Sequence, residues 1–217
     1  GDILPPPVNE ALENIKRKQI EDERIEAEET AKLKQEELDA INEQFDKKVD
    51  ERAGAFTAKF ATNNKALDNP LTFTSAEVNL CSKDFYTDKY LFLRSDQESI
   101  TKIRVQYPTG IIKTFSKGDG TEDFFTFFTN DTDPRRYIAK LWEYGGEGAF
   151  ARASEQGGIQ GGPHVITAYA NVTGNIAEDG TTKTKEISTK IAILVDCCKE
   201  STGKITKISD IPNEGKC

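Results

Sequence analysis

The sequence predicts an α+β protein: a long N-terminal α-helix, serving as stalk or arm, followed by a mainly antiparallel β domain with one short lid helix. Three observations predict it. From Asn9 to Phe60 there is no proline, the only glycine is Gly54, and charged residues recur throughout. After Pro70, short apolar runs are separated by turn residues. Between them, Asp133-Pro134 and Gly145 bracket one apolar segment like the two ends of a short helix. The expected domains are residues 1–61, a charged helical arm, and residues 62–217, an antiparallel sheet or sandwich.

The arm comes first. Pro5, Pro6 and Pro7 are expected to precede the helix, with Asn9 as its N-cap. Unbroken to Phe60, the helix is roughly 75 Å long at ~1.5 Å per residue. Its first half has a thin, irregular apolar seam: Leu12, Ile15, Ile20, Ile25 and Leu33. Its second half is regular. Leu38, Ile41, Phe45, Val49, Ala53, Phe56 and Phe60 recur at steps of three and four, forming one packing face. Pairs such as Glu28–Lys32 and Glu43–Lys47 support an exposed surface at ~0.2–0.5 kcal/mol each. Heptads are not sustained, so the parallel coiled-coil pattern is not met.

The β domain follows a connector, residues 62–70. Expected strands are Glu77 to Cys81, Tyr90 to Leu93, Thr101 to Tyr107, Ile111 to Phe115, His164 to Val172 and Glu186 to Val195, with a tail at Ile205 to Ile208. Thr101 to Tyr107 alternates, placing Ile103, Val105 and Tyr107 on one face and Lys102, Arg104 and Gln106 on the other. Pro108-Thr109-Gly110 turns this strand into a hairpin. Phe124 to Phe128 is too apolar to be exposed. The lid helix draws its apolar side from Tyr137, Ile138, Leu141, Trp142 and Tyr144. A glycine-rich loop, residues 145–163, lacks the lysine and spacing of a phosphate-binding loop.

Composition narrows the function. The chain has 217 residues and a net charge of −8. Asn9 to Ala53 holds fifteen acidic and nine basic residues. Such a balance disfavours nucleic acid as a partner, because phosphate backbones demand Lys/Arg patches. No eighteen-residue apolar run exists, so no membrane span is expected. The chain begins at Gly1 and holds no Met, which suggests processing, with a signal peptide or anchor removed.

Cys81, Cys197, Cys198 and Cys217 lack zinc spacing, and their even number suggests two disulfides formed outside the cytoplasm. Neighbours in a strand point to opposite faces, so Cys197 and Cys198 are expected to bond to different partners, Cys217 and Cys81. Sequons at Asn130 and Asn171 mark candidate glycosylation sites, consistent with a secreted, periplasmic or cell-surface location.

Packing and turn roles account for the residues that could otherwise form a site. His164 is the only histidine, opens a strand and has no nucleophile paired with it in sequence, so a structural role is favoured. Asp119, Glu122 and Asp123, or Asn130, Asp131 and Asp133, offer oxygen ligands without calcium-loop spacing, and turn chemistry accounts for them. Tyr86, Tyr90, Tyr107, Tyr137, Trp142 and Tyr144 suit a core better than a sugar site. No catalytic, cofactor-binding or metal-binding set is expected.

These features point to a non-enzymatic subunit of an extracellular or cell-envelope assembly such as a filament, sheath or tail. Its expected partners are itself or sister subunits. The alternative is a stalked ligand-binding head, adhesin or lectin-like, binding glycan or protein. A long helix, an antiparallel sheet and a disulfide-closed C-terminal loop resemble the general plan of type IV pilin-like subunits. The apolar segment with an embedded glutamate that begins a mature pilin is not found in residues 1–25, which are polar, so an intact pilin is not implied.

Overall fold

A computed structural model describes residues 6–64, 71–73, 77–79, 89–119, 125, 139–143, 148–152, 159–175 and 181–196. It shows one long N-terminal helix followed by mainly antiparallel sheets. The chain forms two compact units: Gly1–Lys48 with Gly174–Lys183, and Val49–Thr173 with Thr184–Cys217.

Helix α1 spans Pro6–Ala55. It begins earlier than expected, because Pro6 and Pro7 occupy its first turn. Proline is tolerated there, since those N–H groups have no intrahelical acceptor and its fixed φ is already helical. The helix also ends earlier than expected. After Gly54 and Ala55 the chain leaves it, with the Phe56 N–H reaching back to the Ala53 carbonyl at 3.4 Å. Phe60 lies in a strand, where ladder pairing replaces the extra helical turn.

Most sheet residues belong to the second unit, with the end of one strand and the start of the next, within 174–183, in the first. The first sheet holds β1 (Lys59–Asn64), β2 (Leu71–Phe73), β4 (Lys89–Arg94) and β7 (Ala139–Glu143), in the order β2-β1-β4-β7. Each of its pairs is antiparallel. In register, Phe60 faces Leu93 and Ala61 faces Phe92, so β4 buries side chains on both faces. Tyr90 packs against Ala61 and Phe92, with the Tyr90 and Phe92 rings 5.4 Å apart.

Strand β7 corrects the expected lid helix. Residues 139–143 pair with β4 instead, and the described helical element nearby is only a 3₁₀ turn, Ala149–Ala151. The cap-like Asp133-Pro134 and Gly145 were local signals, and the ladder offered by β4 outweighed them. A register shift opposite Leu91 and Phe92 inserts Leu141 between the paired Trp142 and Lys140. Leu141 and Trp142, neighbours in sequence, are both fully buried, as expected of a sheet covered on both faces.

The second sheet holds β3 (Glu77–Asn79), β5 (Lys102–Gln106), β6 (Ile112–Ser116), β8 (Gly162–Asn175) and β9 (Thr182–Asp196), in the order β3-β9-β8-β5-β6. β3 runs parallel to β9, while β5 is antiparallel to β6 and β8. The alternation read from residues 101–107 holds: Ile103, Val105 and Tyr107 are buried, Arg104 and Gln106 exposed. Ile166, Ala168, Ala170 and Val172 from β8 and Ile187, Ile193 and Val195 from β9 complete the buried face. Gly148, at φ 110°, seats the 3₁₀ turn. A Cβ there would stand 2.7 Å from the backbone of Leu141, so no side chain fits.

Candidate assembly surfaces

In the first unit, α1 is exposed over residues 6–37. This stretch carries large apolar side chains in water: Ile15 is 55% exposed, Ile20 66% and Leu33 66%, with Leu12 and Ile25 also exposed. Its ion pairs are local. Arg24 forks between Glu21 at 2.6 Å and Glu28 at 2.7 Å, and those carboxylates raise its already high pKa. Glu28 therefore meets Arg24 rather than the expected Lys32, which reaches Glu36. Asp22, Glu26 and Glu29 have no ion-pair partner among the described residues.

The regular face of the arm is better packed. Leu38 and Ile41 are half-buried and Phe45 is buried. Gly174 stands against the Phe45 ring so closely that a Cβ would come within 2.4 Å of Cδ2. Lys183 places its ammonium 5.4 Å from the same ring. The remaining members, Val49, Phe56 and Phe60, are buried in the second unit.

Also in the second unit, Arg52 of the last turn of α1 clasps Glu98. Its Nε donates to Oε1 at 2.6 Å, and a guanidinium nitrogen donates to Oε2. Ser95 Oγ accepts from the backbone N–H groups of Gln97 and Glu98, a turn that holds Glu98 inward. Sequence reasoning missed this pair, whose partners are 46 positions apart with no local signal.

The outer face of the second sheet is cationic. Arg104, Gln106, Val165, Thr167 and Lys190 line a depression of roughly 80 Å³. Lys102 beside it is already engaged, paired with Glu186 at 2.9 Å and lying 4.3 Å above the Tyr169 ring. Arg104 and Lys190 have no ion-pair partner among the described residues.

His164 lies in the core. Its Nδ1 contacts the Gly162 carbonyl at 3.1 Å, and its ring sits 4.5 Å from that of Phe150 and 5.7 Å, edge-on, from that of Tyr107. The Tyr107 hydroxyl donates to the Ala149 carbonyl at 2.6 Å. Burial pushes the His164 pKa down to about 4 and the Tyr107 pKa up. At neutral pH the imidazole is therefore an uncharged packing element with Nδ1–H donating. Its Nε2, the Trp142 Nε1 and the Gln160 Oε1 are buried without a hydrogen-bond partner among the described residues.

The other candidates divide between these units and the undescribed segments. Asp119 accepts from the Ser116 N–H at 2.8 Å within a turn. Tyr107 and Trp142 are buried, and Tyr90 is half-buried. Asn171 is exposed on β8. Cys81, Cys197, Cys198, Cys217, Asn130, Asp131, Asp133, Glu122, Asp123, Tyr86, Tyr137, Tyr144 and the tail at 205–208 lie outside the described residues, as does Phe124 to Phe128 except buried Phe125. No helix among the described residues is long and apolar enough to cross a membrane. No family model, curated protein or solved structure matches the chain.

Proposed function

We propose that this protein is a non-enzymatic structural subunit of an extracellular or cell-envelope assembly, such as a filament, sheath, pilus-like or tail-like structure. Helix α1 serves as the arm, and the β domain makes lateral contacts with sister copies. The observation that carries the reading is the exposure of residues 6–37 with Ile15, Ile20 and Leu33 in water. Most helical stability in proteins comes from packing an apolar face, and this stretch has no such packing among the described residues of its unit. Repeated contacts, weak singly and strong in number, supply it in an array. The extracellular location rests on the four cysteines and on exposed Asn171.

Deleting residues 1–33 tests the reading. The shortened chain keeps its β-sheet circular dichroism and melts within a few degrees of the full chain, but loses higher-order assembly. Assembly of the full chain weakens with salt, because exposed charges are screened over ~8–10 Å at physiological ionic strength. Normal assembly of the shortened chain would overturn the role of the arm.

A further inference from the structure

We propose that the cationic depression on the five-stranded sheet receives the acidic stretch of α1 from a second copy of this chain. The proposal rests on the assembly reading and says which surface meets which. In a chain of net charge −8, Arg104 and Lys190 form a local positive site. They stand on β5 and β9 with β8 between them. Two strand spacings set them roughly 9–10 Å apart across the sheet. Val165 and Thr167 of β8 lie between these cations, and Gln106 adds an amide.

The arm presents the complement. Residues 21–29 hold six acidic side chains against Arg24 alone. Arg24 is occupied with Glu21 and Glu28. Asp22, Glu26 and Glu29 fall within a strip of roughly 60° at ~100° per residue, with Asp22 and Glu29 about 10 Å apart along the axis. A helix lying across the strands therefore sets Asp22 and Glu29 over the two cations. Exposed Ile25 lies beside that strip and exposed Leu33 continues it along the helix, and Val165 offers apolar contact on the sheet. The charges fix register and speed encounter, while the apolar side chains supply burial. The Lys-Arg-Lys run at 16–18 would be repelled by the same cations, which limits the docking window to the acidic stretch.

Charge reversal in the full chain tests this. Self-association is read by sedimentation velocity for wild type, Arg104→Glu with Lys190→Glu, and Asp22→Lys with Glu26→Lys and Glu29→Lys, each checked by circular dichroism. Each reversed variant alone is expected to associate at least tenfold more weakly, and an equimolar mixture of the two is expected to recover association. Milder Arg104→Gln with Lys190→Gln gives an intermediate loss should the reversed sheet face not fold. A wild-type chain that associates while both reversed variants associate equally well overturns the docking and leaves the assembly reading standing. A wild-type chain that stays monomeric at every concentration overturns both. Binding of a sulfated polysaccharide that is lost with Arg104 and Lys190, while self-association is intact, also overturns the docking and marks the depression as an anion site.

Discussion

Arg52 and Glu98 form a two-point clasp that ties the last turn of α1 to the turn before β5, with Glu98 only 4% exposed. Arg52 is partly exposed, so solvent offsets part of the attraction. Removing one partner of a buried pair strands the other. Glu98→Ala frees a guanidinium that can turn outward to water. Arg52→Ala strands a buried carboxylate and is the costlier change, at about 2–3 kcal/mol. Arg52→Lys recovers little, since an ammonium does not match both carboxylate oxygens. Urea unfolding of the three variants checks the order.

Phe45 and Gly174 predict a steric coupling. Gly174→Ala places a methyl group inside the ring contact and should cost about 1–3 kcal/mol, the usual range for overpacking. Phe45→Leu makes room, so the double variant should lose less than the sum of the singles. Phe45→Asp buries an unpaired charge and is expected to cost several kcal/mol, whereas Ile20→Asp, in water, leaves folding within about 0.5 kcal/mol. Equal tolerance of Phe45→Asp and Ile20→Asp would contradict the packing described for this face.

His164 predicts an acid-sensitive core. The unfolded chain takes up a proton near 6.5, while the folded chain resists until about 4. Its contribution is therefore fully present above pH 6.5 and lost as pH falls to about 4, amounting to ~3 kcal/mol. Melting temperatures measured from pH 7.5 to 4 should fall more steeply for wild type than for His164→Leu. Parallel pH profiles would show that the imidazole gains its proton without cost.

The cysteines predict a bond pattern. Non-reducing peptide mapping should find Cys217 joined to Cys197 or Cys198, with Cys81 holding the other. The C-terminal bond closes about twenty residues and is worth ~3 kcal/mol in the loop-entropy model. Four unmodified thiols in protein from its native source would remove the argument for an extracellular location.

Much of the fold was legible because its signals are local. Alternation in residues 101–107 and a proline at the turn suffice to read the hairpin of β5 and β6. The absence of proline from Asn9 onward and the density of charge suffice for the body of α1, though not for its first turn, which holds Pro6 and Pro7. What escaped depends on partners remote in sequence. β7 is a strand because β4, more than forty positions earlier, offers it a ladder. The depression between Arg104 and Lys190 depends on the strand order, although the alternation alone puts Arg104 on the polar face. Gly174 carries no signal in the sequence, because what requires a glycine there is the ring of Phe45, remote in the chain.

The exposure of residues 6–37 also sets how this chain tolerates changes of length. Inserting or deleting seven residues there shifts the reach of α1 by about 10 Å and turns its far end by only ~20°. No core residue changes its neighbours in the process. The reach of this exposed helix is therefore adjustable in coarse, nearly rotation-free steps, like the graduations of a ruler.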